Sequence, residues 1–129
     1  MKVKIYYHHT DSGGVVYYAN YLKFFEEART EFFAQKGLPL NELAAKGVMF
    51  VVARQEAVYK FPARYADILD IETRLQNVSA VRLEFVHESK NQDGKLICAG
   101  KAVLVCVGRD FRPQPIPDAV KNQMEAENA

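Results

Sequence analysis

The sequence predicts an α+β domain in which an antiparallel sheet of about five strands wraps around one long helix. Three observations lead to this class. One segment carries apolar residues at helical spacing, one strand-like segment precedes it, and four strand-like segments follow it. A chain with this order of elements buries its single long helix most simply against a sheet built from the other segments.

The long helix is predicted from the residues that begin at Tyr21. Its apolar side chains recur at i, i+3, i+4, i+7, i+11 and i+12, and they are Tyr21, Phe24, Phe25, Ala28, Phe32 and Phe33. This spacing places them on one stripe of an α-helix. Gly37 stands where a left-handed C-cap would end the helix, and Pro39 opposes its continuation.

The strands are predicted from alternation of polar and apolar residues and from β-branched composition. Residues 2–7 alternate, with Val3, Ile5 and Tyr7 on one face. The four later strands are expected at residues 48–59, 68–78, 81–88 and 95–107.

The connections are predicted from turn residues. Asn91-Gln92-Asp93-Gly94 is a strong turn signal, so the last two strands are expected to form a hairpin. Residues 61–67 are expected to form a loop, and short helices are expected over residues 39–46 and 118–127.

Length, charge and cysteine spacing limit the class of protein further. The 129 residues are expected to form a single domain over residues 1–129, and the net charge of +1 excludes a strongly basic nucleic-acid-binding surface. Neither a signal peptide nor a bilayer-spanning apolar run is apparent, so we expect a soluble, cytoplasmic protein.

Cys98 and Cys106 lie about 26 Å apart along one predicted strand, which is beyond disulfide reach. We therefore expect two buried thiols, not a bridge or zinc ligands.

A lone carboxylate precedes the helix on a glycine-bearing turn, Asp11-Ser12-Gly13-Gly14. At the start of a helix, unpaired N–H groups and the helix dipole stabilise negative charge, and glycines let backbone N–H groups approach a ligand closely. A carboxylate beside such donors is suited to attack a carbonyl, or to activate water, while the N–H groups hold the oxyanion. On composition alone, an ordinary turn between a strand and a helix is the simpler interpretation.

The residues around this turn carry a resemblance to a known family. The pairs Thr10-Asp11, Gly13-Gly14, Val15-Val16, Tyr17-Tyr18 and Asn20-Tyr21 stand in this order, and the helix follows. This order resembles the signature of the hotdog-fold acyl-CoA thioesterases of the 4-hydroxybenzoyl-CoA thioesterase type, and it looks closest to the branch associated with bacterial Tol-Pal genes. The resemblance is dense over about twenty residues and looser, in order and length, to about residue 108.

The resemblance implies a hotdog fold and the hydrolysis of acyl-CoA thioesters to a carboxylic acid and coenzyme A, with no metal or other cofactor. It puts the catalytic carboxylate on Asp11 and the backbone N–H that polarises the thioester carbonyl on Tyr18. The residues expected beside the substrate are Gly13, Gly14, Val16 and Tyr17. The resemblance also implies a homodimer or homotetramer with its active sites at the subunit interface.

Coenzyme A would need cations to hold its phosphates. The candidates are Lys60, Arg64, Arg82, Lys90 and Lys101, and of these we expect Arg64 and Arg82 to contact the substrate. An acyl carrier protein remains a possible alternative carrier of the acyl group.

Three further groups of residues have a structural interpretation as well as a functional one. Neighbouring residues of a strand point to opposite faces, so His8 and His9 are not expected to share a metal with the nearby carboxylate. His87, in the middle of a strand, is expected to be a structural histidine. Glu26 and Arg29 are spaced i, i+3 on the helix, which favours exposed pairing, while the resemblance implies that they fix the helix against the site.

The sequence therefore predicts a thioester hydrolase in which Asp11 acts either as the nucleophile or as the general base, a choice that the residues leave open. Two other classes stay open as well. A hotdog hydratase or dehydratase would carry a His-Phe-Pro stretch, which is missing here. A non-catalytic module would bind acyl thioesters or a partner protein without releasing a thiol.

Overall fold

The computed structural model describes residues 1–126, and in them it contains one five-stranded antiparallel sheet and three α-helices. The strands are β1 (Lys2–Lys4), β2 (Met49–Tyr59), β3 (Ile68–Val78), β4 (Arg82–Lys90) and β5 (Leu96–Val107). The helices are α1 (Asn20–Gln35), α2 (Leu40–Ala45) and α3 (Asp118–Glu125). The predicted α+β class, with one long helix and about five strands, is confirmed. The last helix was expected to extend to residue 127, which lies outside the described residues.

The sheet has the strand order β1-β3-β4-β5-β2, and every neighbouring pair is antiparallel. The predicted hairpin of β4 and β5 is present, with Lys90 opposite Leu96 next to the turn. The register shifts within β2, between Val52 and Arg54, and within β3, between Leu75 and Asn77. Such bulges bend a strand and increase its twist, which helps the sheet to curl around α1.

Helix α1 buries its aromatic stripe against the concave side of the sheet. The buried residues of the helix are Tyr21, Phe24, Phe25, Ala28, Arg29 and Phe33. Their apolar members pack in two clusters, one with Leu69, Ile71 and Ile97 of the sheet, the other with Leu83 and Phe85. The helix ends as predicted, since Gly37 has a φ of 75° and its N–H donates to Ala34 O at 3.0 Å.

The prediction of a strand over residues 2–7 was wrong beyond the first residues. Strand β1 ends at Lys4, and Tyr7–His9 form one turn of 3₁₀ helix. Local hydrogen bonds replace the sheet there, because the Tyr6 N–H donates to Nδ1 of His9 at 2.9 Å and the His9 N–H donates to Tyr6 O at 3.0 Å. Tyr7, expected on the same face as Ile5, is exposed, whereas Ile5 is buried.

Exposed pairing was the wrong interpretation of Arg29. Only 5% of its surface is exposed, and its Nη1 donates to Oε1 of Gln55 on β2 at 3.3 Å.

The two cysteines are buried free thiols, as predicted. In the described part of the chain, no helix is both long and apolar enough to cross a membrane.

Candidate active site

The loop that carries Asp11 is closed by its own backbone. Thr10 and Val16 form an antiparallel bridge, and the Asp11 N–H donates to Val15 O at 2.9 Å. The loop is tied to the rest of the chain by the Val16 N–H, which donates to Ala63 O at 2.8 Å. A short, closed loop of this kind holds the carboxylate in a fixed position at the surface.

The Asp11 carboxylate is exposed, and one of its oxygens is already anchored. Oδ1 accepts the Gly13 N–H at 2.8 Å, whereas Oδ2 accepts no hydrogen bond within residues 1–126. A Cβ at position 13 would lie 3.1 Å from Oδ1, so glycine leaves room for the carboxylate there. Gly14 has a φ of 80°, a left-handed conformation that glycine adopts without strain. The two glycines thus shape the loop around the carboxylate.

The start of α1 is fastened to the same loop. The carbonyl oxygen of His9 accepts both the Tyr17 N–H, at 2.9 Å, and Nδ2 of Asn20, at 2.8 Å. The Asn20 N–H then donates to Tyr17 O at 2.9 Å, which closes a turn over residues 17–20. The Tyr18 N–H donates to no acceptor among the hydrogen bonds of residues 1–126. It is a free donor at the positive end of the helix dipole.

A cavity of about 350 Å³ lies between the Asp11 loop, the start of α1 and the end of β2. It is lined by Asp11, Val15, Val16, Tyr18, Tyr21, Tyr59, Lys60, Phe61 and Pro62. One exposed carboxylate thus shares an otherwise largely aromatic and aliphatic cavity with the residue that carries the free N–H.

Three titratable side chains near the cavity have a pKa shifted from its ordinary value. Burial raises the pKa of Tyr21 to about 12. The neighbouring Tyr18 side chain raises the pKa of Tyr17. Partial burial, followed by the neighbouring His8, lowers the pKa of His9, whose Nδ1 accepts the Tyr6 N–H.

The structure brings some of the predicted site residues together and separates others. Asp11, Val16 and Tyr18 line the cavity, while Gly13, Gly14 and Tyr17 flank it within the same loop and turn. Arg64 is next to the loop because its backbone bridges Val15. Arg82 begins β4, about 26 Å along that strand from the hairpin end at Lys90. Within one chain, Arg82 is therefore not brought to the cavity.

Sequence reasoning missed the residues that close the cavity from the sheet side. The sequence pattern predicts only the end of a strand and the following loop at Tyr59, Phe61 and Pro62, and only a candidate cation at Lys60. A group of aromatic residues at a strand end was the available signal. The hydroxyl of Tyr59 donates to Tyr18 O at 3.1 Å, a contact that only the folded chain reveals.

The 3₁₀ turn brings the two adjacent histidines closer than a strand would. The ring centroids of His8 and His9 are 4.0 Å apart, because the chain does not alternate there as the sequence had suggested. Among residues 1–126, no group of three or more His, Cys, Asp or Glu side chains could hold a metal ion.

Comparisons with known proteins show the family of the chain. The family model for the thioesterase-like superfamily matches residues 6–124 of the sequence, so the chain belongs to that superfamily. Its relatives include the acyl-CoA thioester hydrolase YbgC of Escherichia coli, with 34% identity over 119 residues, covering 92% of this chain and 89% of that protein. The acyl-CoA thioesterase YbgC of Haemophilus influenzae is 36% identical over 126 residues, covering 92% and 88% of the two chains.

Solved structures confirm the predicted hotdog fold. A hypothetical protein from Thermus thermophilus superposes with a TM-score of 0.91 at 29% identity, covering 96% of this chain and 95% of that one. A DHNA-CoA thioesterase from Staphylococcus aureus superposes with a TM-score of 0.86 at 27% identity, covering 89% and 78% of the two chains.

Proposed function

We propose that the protein hydrolyses acyl-CoA thioesters to a free carboxylic acid and coenzyme A. One observation carries the proposal: the Asp11 carboxylate and the residue with the free N–H, Tyr18, line the same cavity at the start of α1. The thioesterase relatives and the family membership support the same class of reaction.

The geometry gives each group a role. The thioester oxygen would accept the Tyr18 N–H, which together with the helix dipole stabilises the oxyanion that forms when the carbonyl is attacked. Oδ2 of Asp11 is the carboxylate oxygen without a hydrogen bond, and Oδ1 is held by Gly13. In the overall reaction the hydroxyl of water joins the acyl group, and its remaining proton goes to the departing thiolate.

Two roles for Asp11 fit this arrangement. As a nucleophile, Oδ2 would attack the thioester and form a mixed anhydride, which water then cleaves. As a general base, it would take a proton from the attacking water. A single turnover in water labelled with heavy oxygen separates the two, because only the nucleophilic route leaves label in Asp11.

The remaining site residues would bind the substrate. Val16 contributes an apolar wall, and Tyr17 lies on the rim beside it. We assign the coenzyme A phosphates to Arg64 and Lys60, both exposed at this end of the sheet. For Arg82 to reach a phosphate, it would have to act on the cavity of a second copy.

We propose that the active form is a homodimer or a homotetramer. Strand β2 is eleven residues long and forms one edge of the sheet, and such edges tend to pair with another strand. Beside it, a groove of about 560 Å³ separates β2 from α1. Exposed Leu22 and Val52 line this groove together with Lys23, Glu26 and Glu27, so a two-fold related copy would meet apolar surface and opposite charges.

The type of thioesterase, its location and the carrier of the acyl group are part of the same proposal. The motif from Thr10 to Tyr21 supports the 4-hydroxybenzoyl-CoA thioesterase type and its Tol-Pal-associated branch. A cytoplasmic location fits a substrate attached to coenzyme A. Acyl carrier protein remains an alternative carrier.

The test is thiol release from a panel of acyl-CoA and acyl carrier protein thioesters. Asp11→Asn should lower kcat by at least ~100-fold while the fold is retained. Asp93→Asn is the matched control, since this carboxylate lies in the exposed turn of the β4–β5 hairpin, and it should keep full activity. Release of no thiol by the wild type, or full activity of Asp11→Asn, would contradict the proposal and favour a binding module.

A further inference from the structure

We propose that Tyr59, the last residue of β2, is a positioning residue that holds the Tyr18 N–H in place for thioester hydrolysis. The inference rests on the proposed function and adds to it a residue that lies 41 positions from Tyr18 in the chain. Tyr59 would act on the reaction through the backbone of Tyr18.

The first support is a hydrogen bond between two elements. The Tyr59 hydroxyl donates to the carbonyl oxygen of Tyr18 at 3.1 Å. The Tyr59 ring also packs edge-on against Tyr18, with centroids 6.3 Å apart, and against Tyr21, with centroids 5.7 Å apart. Although 48% of its surface is exposed, the Tyr59 side chain is thus directed at the turn before α1.

The second support is the rigidity of the strand from which Tyr59 projects. Tyr59 pairs with Cys98 of β5, and the next residue, Lys60, donates its N–H to Ile97 O at 2.8 Å. The sheet therefore fixes the backbone of Tyr59, and the hydrogen bond from its hydroxyl holds the turn before α1 in place relative to the sheet.

The third support is the geometry of the turn itself. The Asn20 N–H holds the carbonyl of Tyr17, and so fixes the peptide that precedes Tyr18. The Tyr18 carbonyl belongs to the central peptide of the turn, which is the peptide that rotates between turn types. Tyr59 holds that second peptide, so Tyr18 is anchored on both sides and its N–H keeps one direction. Preorganised donors of this kind stabilise an oxyanion without reorganisation during the reaction.

The decisive variant is Tyr59→Phe, which removes the hydroxyl and keeps the ring. We expect kcat to fall roughly tenfold, less than the loss caused by deleting an oxyanion donor, while KM stays within about twofold. Affinity for an alkyl-CoA thioether, which has no carbonyl oxygen, should not change. Tyr65→Phe is the matched control, because Tyr65 is an exposed tyrosine that stacks on Tyr7, and its kcat should equal that of the wild type.

The outcomes separate this inference from the proposed function. If the wild type is active and Asp11→Asn is not, an unchanged kcat of Tyr59→Phe overturns the role of Tyr59 alone. An equal loss in Tyr65→Phe, or weaker binding of the thioether by Tyr59→Phe, also overturns it, since each would indicate a general structural effect. An inactive wild type would instead overturn the proposed function, and the inference with it.

Discussion

Nη1 of Arg29 lies 3.4 Å from Nε2 of His87, and both side chains are buried between α1 and the sheet. A guanidinium can only donate, so Nε2 accepts, and the ring proton is on Nδ1, which donates to Oγ1 of Thr73 at 3.1 Å. The imidazole also stacks on Phe25 with centroids 4.8 Å apart. Burial, followed by the charge of Arg29, lowers the pKa of His87 to about 3. His87 is thus a neutral, hydrogen-bonded core residue.

The first prediction concerns stability in acid. In the unfolded chain His87 takes up a proton below its ordinary pKa of 6.5, whereas in the folded protein it does so only near 3, so stability falls as the pH drops between these values. Between about pH 7.5 and about pH 4.5 the titration of His87 should lower the free energy of unfolding by about 3 kcal/mol. His87→Gln should lose less stability over this interval than the wild type, as measured by urea unfolding at both pH values. His8→Gln, at an exposed position, should behave as the wild type; an unchanged acid loss in His87→Gln would contradict the prediction.

The second prediction concerns the contact between α1 and β5. A Cβ on Gly100 would lie 2.5 Å from Cε2 of Phe25, so Gly100→Ala should overpack the core and destabilise the protein by about 1–3 kcal/mol. Phe25→Leu in the same chain should relieve the clash. Urea unfolding of the double mutant should therefore show a loss smaller than the sum of the single losses. Strictly additive losses would mean that the two residues do not meet as described.

A third prediction concerns the room around the carboxylate. A methyl group at position 13 would press on Oδ1 of Asp11, 3.1 Å away, without changing the side-chain chemistry of the site. Gly13→Ala should therefore lower kcat roughly tenfold, because small displacements of a catalytic group are costly. Ser12→Ala, in the same turn, is the control and should keep the wild-type kcat. Equal kcat values for both variants would count against a fixed carboxylate.

A fourth prediction concerns assembly. Val52 lies on the edge strand β2 with 51% of its surface exposed, and Val52→Glu would place a charge in the groove beside α1. We expect light scattering to show that the wild type is at least a dimer and that the variant shifts toward the single-chain mass of 14.6 kDa. Phe111→Ser, in the exposed loop after β5, should leave the assembly unchanged. A wild type that is already monomeric would exclude this use of the β2 edge.

Most elements of the fold could be predicted, because a local pattern in the sequence specifies them. The aromatic stripe that contains Phe24 and Phe25 specifies α1, and the turn at residues 91–94 specifies the hairpin. The 3₁₀ turn at Tyr7–His9 could not be predicted, because it depends on the His9 ring capturing a backbone N–H in place of the sheet. The alternation of polar and apolar residues does not indicate where a side chain competes with the sheet for a backbone N–H group.

In the candidate site, too, some residues could be predicted from the sequence and others could not. Asp11 and Tyr18 lie seven residues apart in one motif, so sequence alone could join them. Tyr59 reaches the site through the register of β2 on β5, which no local pattern specifies. The burial of Arg29 was missed because its partners, Gln55 and His87, come from two different strands.

The two buried cysteines have a consequence for the chemistry of thiols. Burial raises the pKa of Cys98 to about 12 and also raises that of Cys106, so both sulfurs are protonated and out of reach of solvent. Thiol–disulfide exchange requires an accessible thiolate. A hydrolase of the proposed class generates one free thiol in every turnover, and the folded chain offers that product no sulfur with which to form a mixed disulfide. Thiol–disulfide exchange between the folded enzyme and the coenzyme A that it releases is therefore not expected.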